Sequence, residues 1–193
     1  PAWPYKHEYQ TWNDDWKRTT TPQTWLRDSV VWYSQVLTRR LGARRVQEYV
    51  DKLVYANRDL SGDPGESNAL TAAWLSSSLR ISATEQVEFV RRLVRRQLPV
   101  SGSAIDRTIA IMPLASTAGW HIRGKTGTGF HRRADGTNDQ DRQVGWFVGW
   151  ATRDGRTLVF ARLLEDDRQE RVRAGLRARD ALLNDWPTLV ASP

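Results

Sequence analysis

An α+β fold is what the order of elements in this chain predicts: helical patterns first, then strands in succession, then one closing helix. Two observations point there. In the first part apolar residues recur at helical spacing, as Val46, Tyr49, Val50 and Leu53 do at i, i+3, i+4 and i+7. Past Ala118 the period changes to that of strands, and Asp154-Gly155 between the last two of them is a tight-hairpin signal.

The elements follow in order. Residues 1–20 hold Trp3, Tyr5, Tyr9, Trp12 and Trp16 without a clean period, which favours an irregular segment laid over a core. Thr21 before Pro22 supplies an N-cap and a first-turn proline for a short helix over 22–27. Asp28-Ser29 then caps a second helix that Gly42 stops, and a third covers 43–54. Residues 59–68, with Ser61-Gly62-Asp63-Pro64-Gly65, read as a loop. Ser82 and Glu85 form a capping box that opens a helix to about residue 97, and another helix spans 103–112 before Pro113. Strands are expected over 120–130, 144–152 and 157–164, with a polar loop at 131–143. A final helix over 168–186 should stop at Pro187.

Composition removes several function classes. Lys plus Arg outnumber Asp plus Glu, 29 to 22, and the net charge is +7. No zinc spacing, helix-turn-helix or RNA-binding signature accompanies that charge, and pairs such as Arg91-Arg92 and Arg95-Arg96 sit on amphipathic helices. A solvated basic face accounts for them, and no nucleic-acid partner is expected. The chain has no cysteine, so disulfides and thiolate metal sites are excluded. His7, His121 and His131 are too scattered for a metal triad, and no metal is expected. No apolar run is long enough to span a bilayer, and no signal peptide is present in these residues. The opening Pro1-Ala2-Trp3-Pro4-Tyr5 lacks an initiator methionine and reads as part of a longer or processed chain.

The chemistry centres on Trp120-His121-Ile122-Arg123-Gly124-Lys125-Thr126-Gly127-Thr128-Gly129-Phe130. A lysine and a hydroxyl at i and i+1 of a strand point to opposite faces. Flanking glycines remove bulk, so an extended, amide-like substrate can lie along the strand and bond its backbone, with its carboxylate drawn by Lys125. A plain edge strand guarded by a lysine is the alternative.

Four short signatures occur in one order: Ser29-Val30-Val31, Tyr55-Ala56-Asn57, Lys125-Thr126-Gly127 and Trp146-Phe147-Val148-Gly149. With the segment from Trp74 to Ala83, this ordered set resembles the serine β-lactamases of class D (oxacillinase type) and their relatives among the penicillin-recognising proteins. The resemblance covers nearly the whole chain. It implies an antiparallel sheet with helices on both faces and a helical subdomain, here partial. Residues 1–193 would form one N-terminally incomplete domain, mostly helical over 1–117, with strands and the C-terminal helix over 118–193.

By resemblance, Ser29 passes a proton to the leaving nitrogen, although alone it reads as a helix N-cap. Val31 packs beside the catalytic lysine, and Trp74 donates its indole N–H to that lysine in carboxylated form. Lys125 supplies charge to the substrate carboxylate and to proton transfer, and Thr126 a hydroxyl; Gly127 completes the motif. Thr128 contributes a backbone N–H to the oxyanion hole, and its side chain is not expected to matter. Arg177 is matched to the family's carboxylate-binding arginine, with Arg173 as the alternative. Tyr55-Ala56-Asn57 reads as structural, and 146–149 as a buttress of the sheet.

One departure is serious. The family's nucleophile and base share an S-x-x-K motif, in which a helical turn sets serine beside lysine. Here Lys6, Lys17, Lys52 and Lys125 follow Trp3, Asp14, Tyr49 and Ile122 at that spacing, so the motif is absent. The resemblance therefore implies β-lactam hydrolysis by serine acylation and deacylation in an intact enzyme, with this chain alone inactive. It implies no cofactor beyond a CO2-derived carbamate on the absent lysine. The partners it implies are β-lactam antibiotics and the missing N-terminal part of the same domain, and it allows a homodimer. A periplasmic or secreted bacterial location goes with it. The alternatives are the β-lactam-sensing ectodomain of a receptor, or a cell-wall D,D-transpeptidase.

Overall fold

The structure is a computed structural model, and residues 1–191 of it are described. Its contacts fall into two compact units: Pro1–Arg80 with Leu98–Met112, and Ile81–Gln97 with Pro113–Pro193.

In the first unit, helices α1 (Pro22–Asp28), α2 (Val31–Leu41), α3 (Ala43–Leu53), α4 (Ala69–Ala72) and α6 (Gly102–Ile111) accompany a single 3-10 turn at Asp14–Trp16. The expected N-cap at Thr21 forms, and as a reciprocal capping box: the Thr24 N–H donates to Thr21 Oγ1 at 3.2 Å, and the Thr21 N–H to Thr24 Oγ1 at 2.8 Å. The aromatic N-terminal segment does cover a core. Trp16, Val30, Trp32, Tyr33 and Val36 are buried together, with Trp3, Tyr5, Tyr9, Trp25 and Val31 packed against them. The rings are held at their polar ends as well, since the Trp32 indole donates to the Trp16 carbonyl at 2.9 Å and the Tyr33 hydroxyl to the Pro1 carbonyl at 2.7 Å.

The second unit holds α5 (Ala83–Val94), β1 (Leu114–Thr117), β2 (Trp120–Arg132), β3 (Asn138–Arg153), β4 (Arg156–Glu165) and α7 (Ala174–Ala191). The strands form one antiparallel meander in the order β1-β2-β3-β4. Asp154 and Gly155 both take positive φ in the β3–β4 turn, as a two-residue primed hairpin requires. On one face Trp120, Ile122, Phe147, Ala151 and Phe160 pack against Ala178, Leu182 and Trp186 of α7. Helix α5 lies against β3 and β4, its buried Val90 and Leu93 outside that cluster.

Several expectations need correction. Strand β1 was not foreseen; it pairs with β2 through a turn in which Ala118 and Gly119 have positive φ, and four residues after a proline are too few to show a period. Residues 1–117 are mostly helical and 118–193 hold β2–β4 and the closing helix, but the compact units divide the chain differently, since β1 and α5 both belong with the sheet. The expected 131–143 loop is mostly strand, and β2 and β3 are linked by residues 133–137 alone. Helix α7 begins at Ala174 rather than at 168 and continues through Pro187, because Val190, beyond the expected stop, still packs on the core that holds Trp186.

The W-x-x-G glycine has a steric reason. A Cβ on Gly149 would stand 2.0 Å from the Arg123 carbonyl oxygen and 2.6 Å from Gly124 Cα, both of them backbone. Neither can move without parting β2 from β3. Gly149→Ala should therefore cost about 2 kcal/mol or more, seen as a lowered Tm.

Candidate active site

Ser29 sits between α1 and α2, but not as the N-cap of α2. It is the C-cap of α1, in the left-handed region at φ 55° and ψ 43°, and Val30 takes the N-cap position of α2 without a side-chain bond. A left-handed serine costs on the order of 1 kcal/mol, so its surroundings must impose it. The Trp25 carbonyl accepts the N–H groups of both Ser29 and Val30, and the buried Trp16 indole donates to the Asp28 carbonyl at 3.0 Å. The Asp28 carboxyl bonds Arg27 and Arg18, and these guanidiniums hold it below its ordinary pKa. Val30 has no exposed surface and Val31 packs on the same cluster, so the turn is anchored on the far side too.

Trp74 lies half-buried in a turn after α4. Gln35, only 6% exposed, donates to the Thr71 carbonyl at 3.1 Å and ties α2 to this segment. The Ser77 hydroxyl donates to Asp63 Oδ1 at 2.7 Å. Asn57 of the Y-x-N motif donates to the Ser78 carbonyl at 2.8 Å and accepts from the Arg80 N–H at 3.0 Å, so it holds the segment that follows Trp74. The indole N–H of Trp74 has no acceptor among the described residues.

Lys125, Thr126, Gly127 and Thr128 occupy β2 beyond the reach of β1, which pairs only with 120–123. The Gly124 N–H donates to the Pro113 carbonyl on the β1 side, so by alternation the Thr126 and Thr128 N–H and C=O groups point the same way. No strand of the described residues meets them there. Lys125 Nζ donates to the Thr126 carbonyl at 2.6 Å, which sets the ammonium at this open edge. Thr126 pairs with Phe147 on the α7 face, the face opposite Lys125.

The side chain of Thr128, set aside in the sequence reading, has a partner: the Gly175 N–H donates to its Oγ1 at 3.0 Å. Beside it, the Ala174 N–H donates to Gln143 Oε1 at 3.0 Å. The start of α7 thus rests on β2 and β3, and a Cβ on Gly175 would stand 2.3 Å from the Gly127 carbonyl oxygen. Arg177 is committed elsewhere. Its guanidinium pairs with Asp166, whose side chain is 4% exposed, and its Nε donates to the Val172 carbonyl at 2.9 Å. Arg173 is exposed, directly ahead of the helix start, and its guanidinium has no partner among the described residues. Gln143, Asp166 and Gly175 were missed in the sequence, where only the small pair Ala174-Gly175 hinted at a close approach.

Among the described residues no group of three His, Asp or Glu is placed to hold a metal ion, and no helix is long and apolar enough to cross a membrane.

Comparison with known proteins gives matches over nearly the whole chain. Residues 1–187 match the penicillin binding protein transpeptidase domain. The chain is 44% identical to beta-lactamase OXA-9 of Klebsiella pneumoniae over 194 residues, covering all of this chain and 71% of that protein. It is 37% identical to beta-lactamase OXA-1 of Escherichia coli, covering 90% of this chain and 62% of that protein. The crystal structure of the class D beta-lactamase OXA-427 superposes with a TM-score of 0.91 at 45% identity, over 99% of this chain and 78% of that one. With matches of that extent, the chain belongs to the class D β-lactamase family, within the penicillin-binding transpeptidase fold.

Proposed function

We propose that this chain is the substrate-binding and proton-handling part of a serine β-lactamase, which opens the β-lactam amide through an acyl-enzyme. The observation that carries the reading is the open edge of β2, where the Lys125 ammonium and the Thr128 N–H face the same side. An acyl-transfer oxyanion needs such backbone donors, and a substrate carboxylate needs fixed positive charge.

The nucleophilic serine and its lysine lie outside these 193 residues, because no S-x-x-K occurs among them. As the serine adds to the lactam carbonyl, the oxyanion accepts the Thr128 N–H. Ser29 then delivers a proton to the lactam nitrogen as the C–N bond breaks, with Lys125 stabilising the charge that moves. A lysine carbamate, when present, supplies the base for deacylation. The Trp74 indole suits such an anion, since it is a donor without an acceptor among the described residues. Val31 packs the floor beside it, and Thr126 and Gly127 line the edge. A periplasmic or secreted location follows from the same reading.

For the substrate carboxylate, Arg173 is the better candidate than Arg177, because Asp166 and Val172 already occupy Arg177.

The test is hydrolysis of a chromogenic cephalosporin. Full-length protein should turn it over, and the isolated 193 residues should not. Turnover by the isolated residues would mean that the nucleophile has been misplaced. Stoichiometric acylation of the full-length protein without turnover would favour a sensor.

A further inference from the structure

Helix α7 lacks an acceptor of its own at its N-terminus. Thr21, Ser82 and Ser101 cap their own helices with side-chain oxygens, whereas the residue before α7 is Arg173, whose side chain only donates. Its first N–H groups are satisfied instead from the sheet, by Gln143 Oε1 and Thr128 Oγ1. Gly175 is buried, so losing the Thr128 acceptor would take from its N–H the protein partner it has.

One peptide unit links this cap to the open edge. The Gly127 carbonyl and the Thr128 N–H belong to the same planar group and point in opposite directions. The carbonyl side is braced by Gly175, where a Cβ would stand 2.3 Å from Gly127 O and 2.8 Å from Thr128 Oγ1. The N–H side faces the edge without a strand partner. Any shift of the helix start therefore tilts the peptide whose N–H meets the substrate.

We propose that the Thr128 hydroxyl is a positioning residue for the reaction: by capping α7 at Gly175 it fixes the tilt of the Gly127–Thr128 peptide, and with it the oxyanion donor. This deepens the β-lactamase reading above and rests on it.

The experiment compares wild type, Thr128→Val and Thr128→Ser in the full-length protein. Thr128→Val keeps the shape and removes the acceptor; Thr128→Ser keeps the acceptor. Thr128→Ala, which adds no bulk, is the second acceptor-less variant. Two quantities are read: hydrogen exchange of the 174–177 amides, and kcat and KM for a chromogenic cephalosporin. Thr128→Val and Thr128→Ala should speed the exchange and lower kcat about tenfold with little change in KM, since the oxyanion contact forms only in the transition state. Thr128→Ser should behave as wild type in both. Unchanged exchange in the acceptor-less variants would overturn the cap. Faster exchange with wild-type kcat would make the bond merely structural and overturn the proposal. Wild-type protein inert toward the cephalosporin would sink the functional reading, and the catalytic half of the proposal with it, whereas the exchange data would still decide the cap.

Discussion

Replacing Lys125 by alanine in the full-length enzyme is expected to lower kcat/KM about a hundredfold, while Arg95→Ala should leave it within about twofold. The two residues carry the same charge, so their settings make the difference. Lys125 is partly buried on β2, and its Nζ is fixed by the Thr126 carbonyl at the edge where the Thr128 N–H also points. An ammonium held there acts where charge develops, and losing one such preorganised group costs on the order of 3 kcal/mol. Arg95 is exposed at the C-cap of α5. Thermal melts must first show both variants equally folded. Equal losses in kcat/KM would reduce Lys125 to an ordinary edge lysine, and the proposed site would lose its centre.

The next largest effect separates two arginines four residues apart. Arg177→Ala should destabilise the fold by about 3 kcal/mol, because it leaves the buried Asp166 carboxylate without its counter-ion. Arg173→Ala should leave the Tm within about a degree, since an exposed guanidinium without a partner among the described residues contributes little. Its effect belongs to KM for substrates that carry a carboxylate, which should rise about tenfold. Melting curves and initial rates on the same preparations decide the matter. A stable Arg177→Ala with raised KM, beside an Arg173→Ala with neither change, would return the carboxylate contact to Arg177.

These two residues also show where sequence reading succeeds and where it stops. The motif pattern pointed to residues 173–177, and what tells the two arginines apart there is Asp166, a long-range partner of Arg177 that local pattern does not reveal. The N-cap at Thr21, the capping box at Ser82 and the Asp154-Gly155 hairpin were legible because each is decided within a few residues. Ser29 was misjudged as an N-cap. Nothing next to it in sequence announces that the Trp16 indole and the Trp25 carbonyl hold its turn left-handed. The start of α7 was misplaced for the same kind of reason, since its caps come from Gln143 and Thr128 on other elements.

The interleaving of the two units along the chain bears on how relatives can exchange parts. The chain passes between the units at three junctions: after Arg80, after Gln97 and after Met112. A chimera with a single crossover near 112 would inherit the meander from one parent and α5 from the other. The helix surface bearing Val90 and Leu93 would then meet a foreign sheet on β3 and β4. Moving the sheet unit whole requires joints at all three places, so recombinants joined once should survive only between parents whose α5 and sheet surfaces already match.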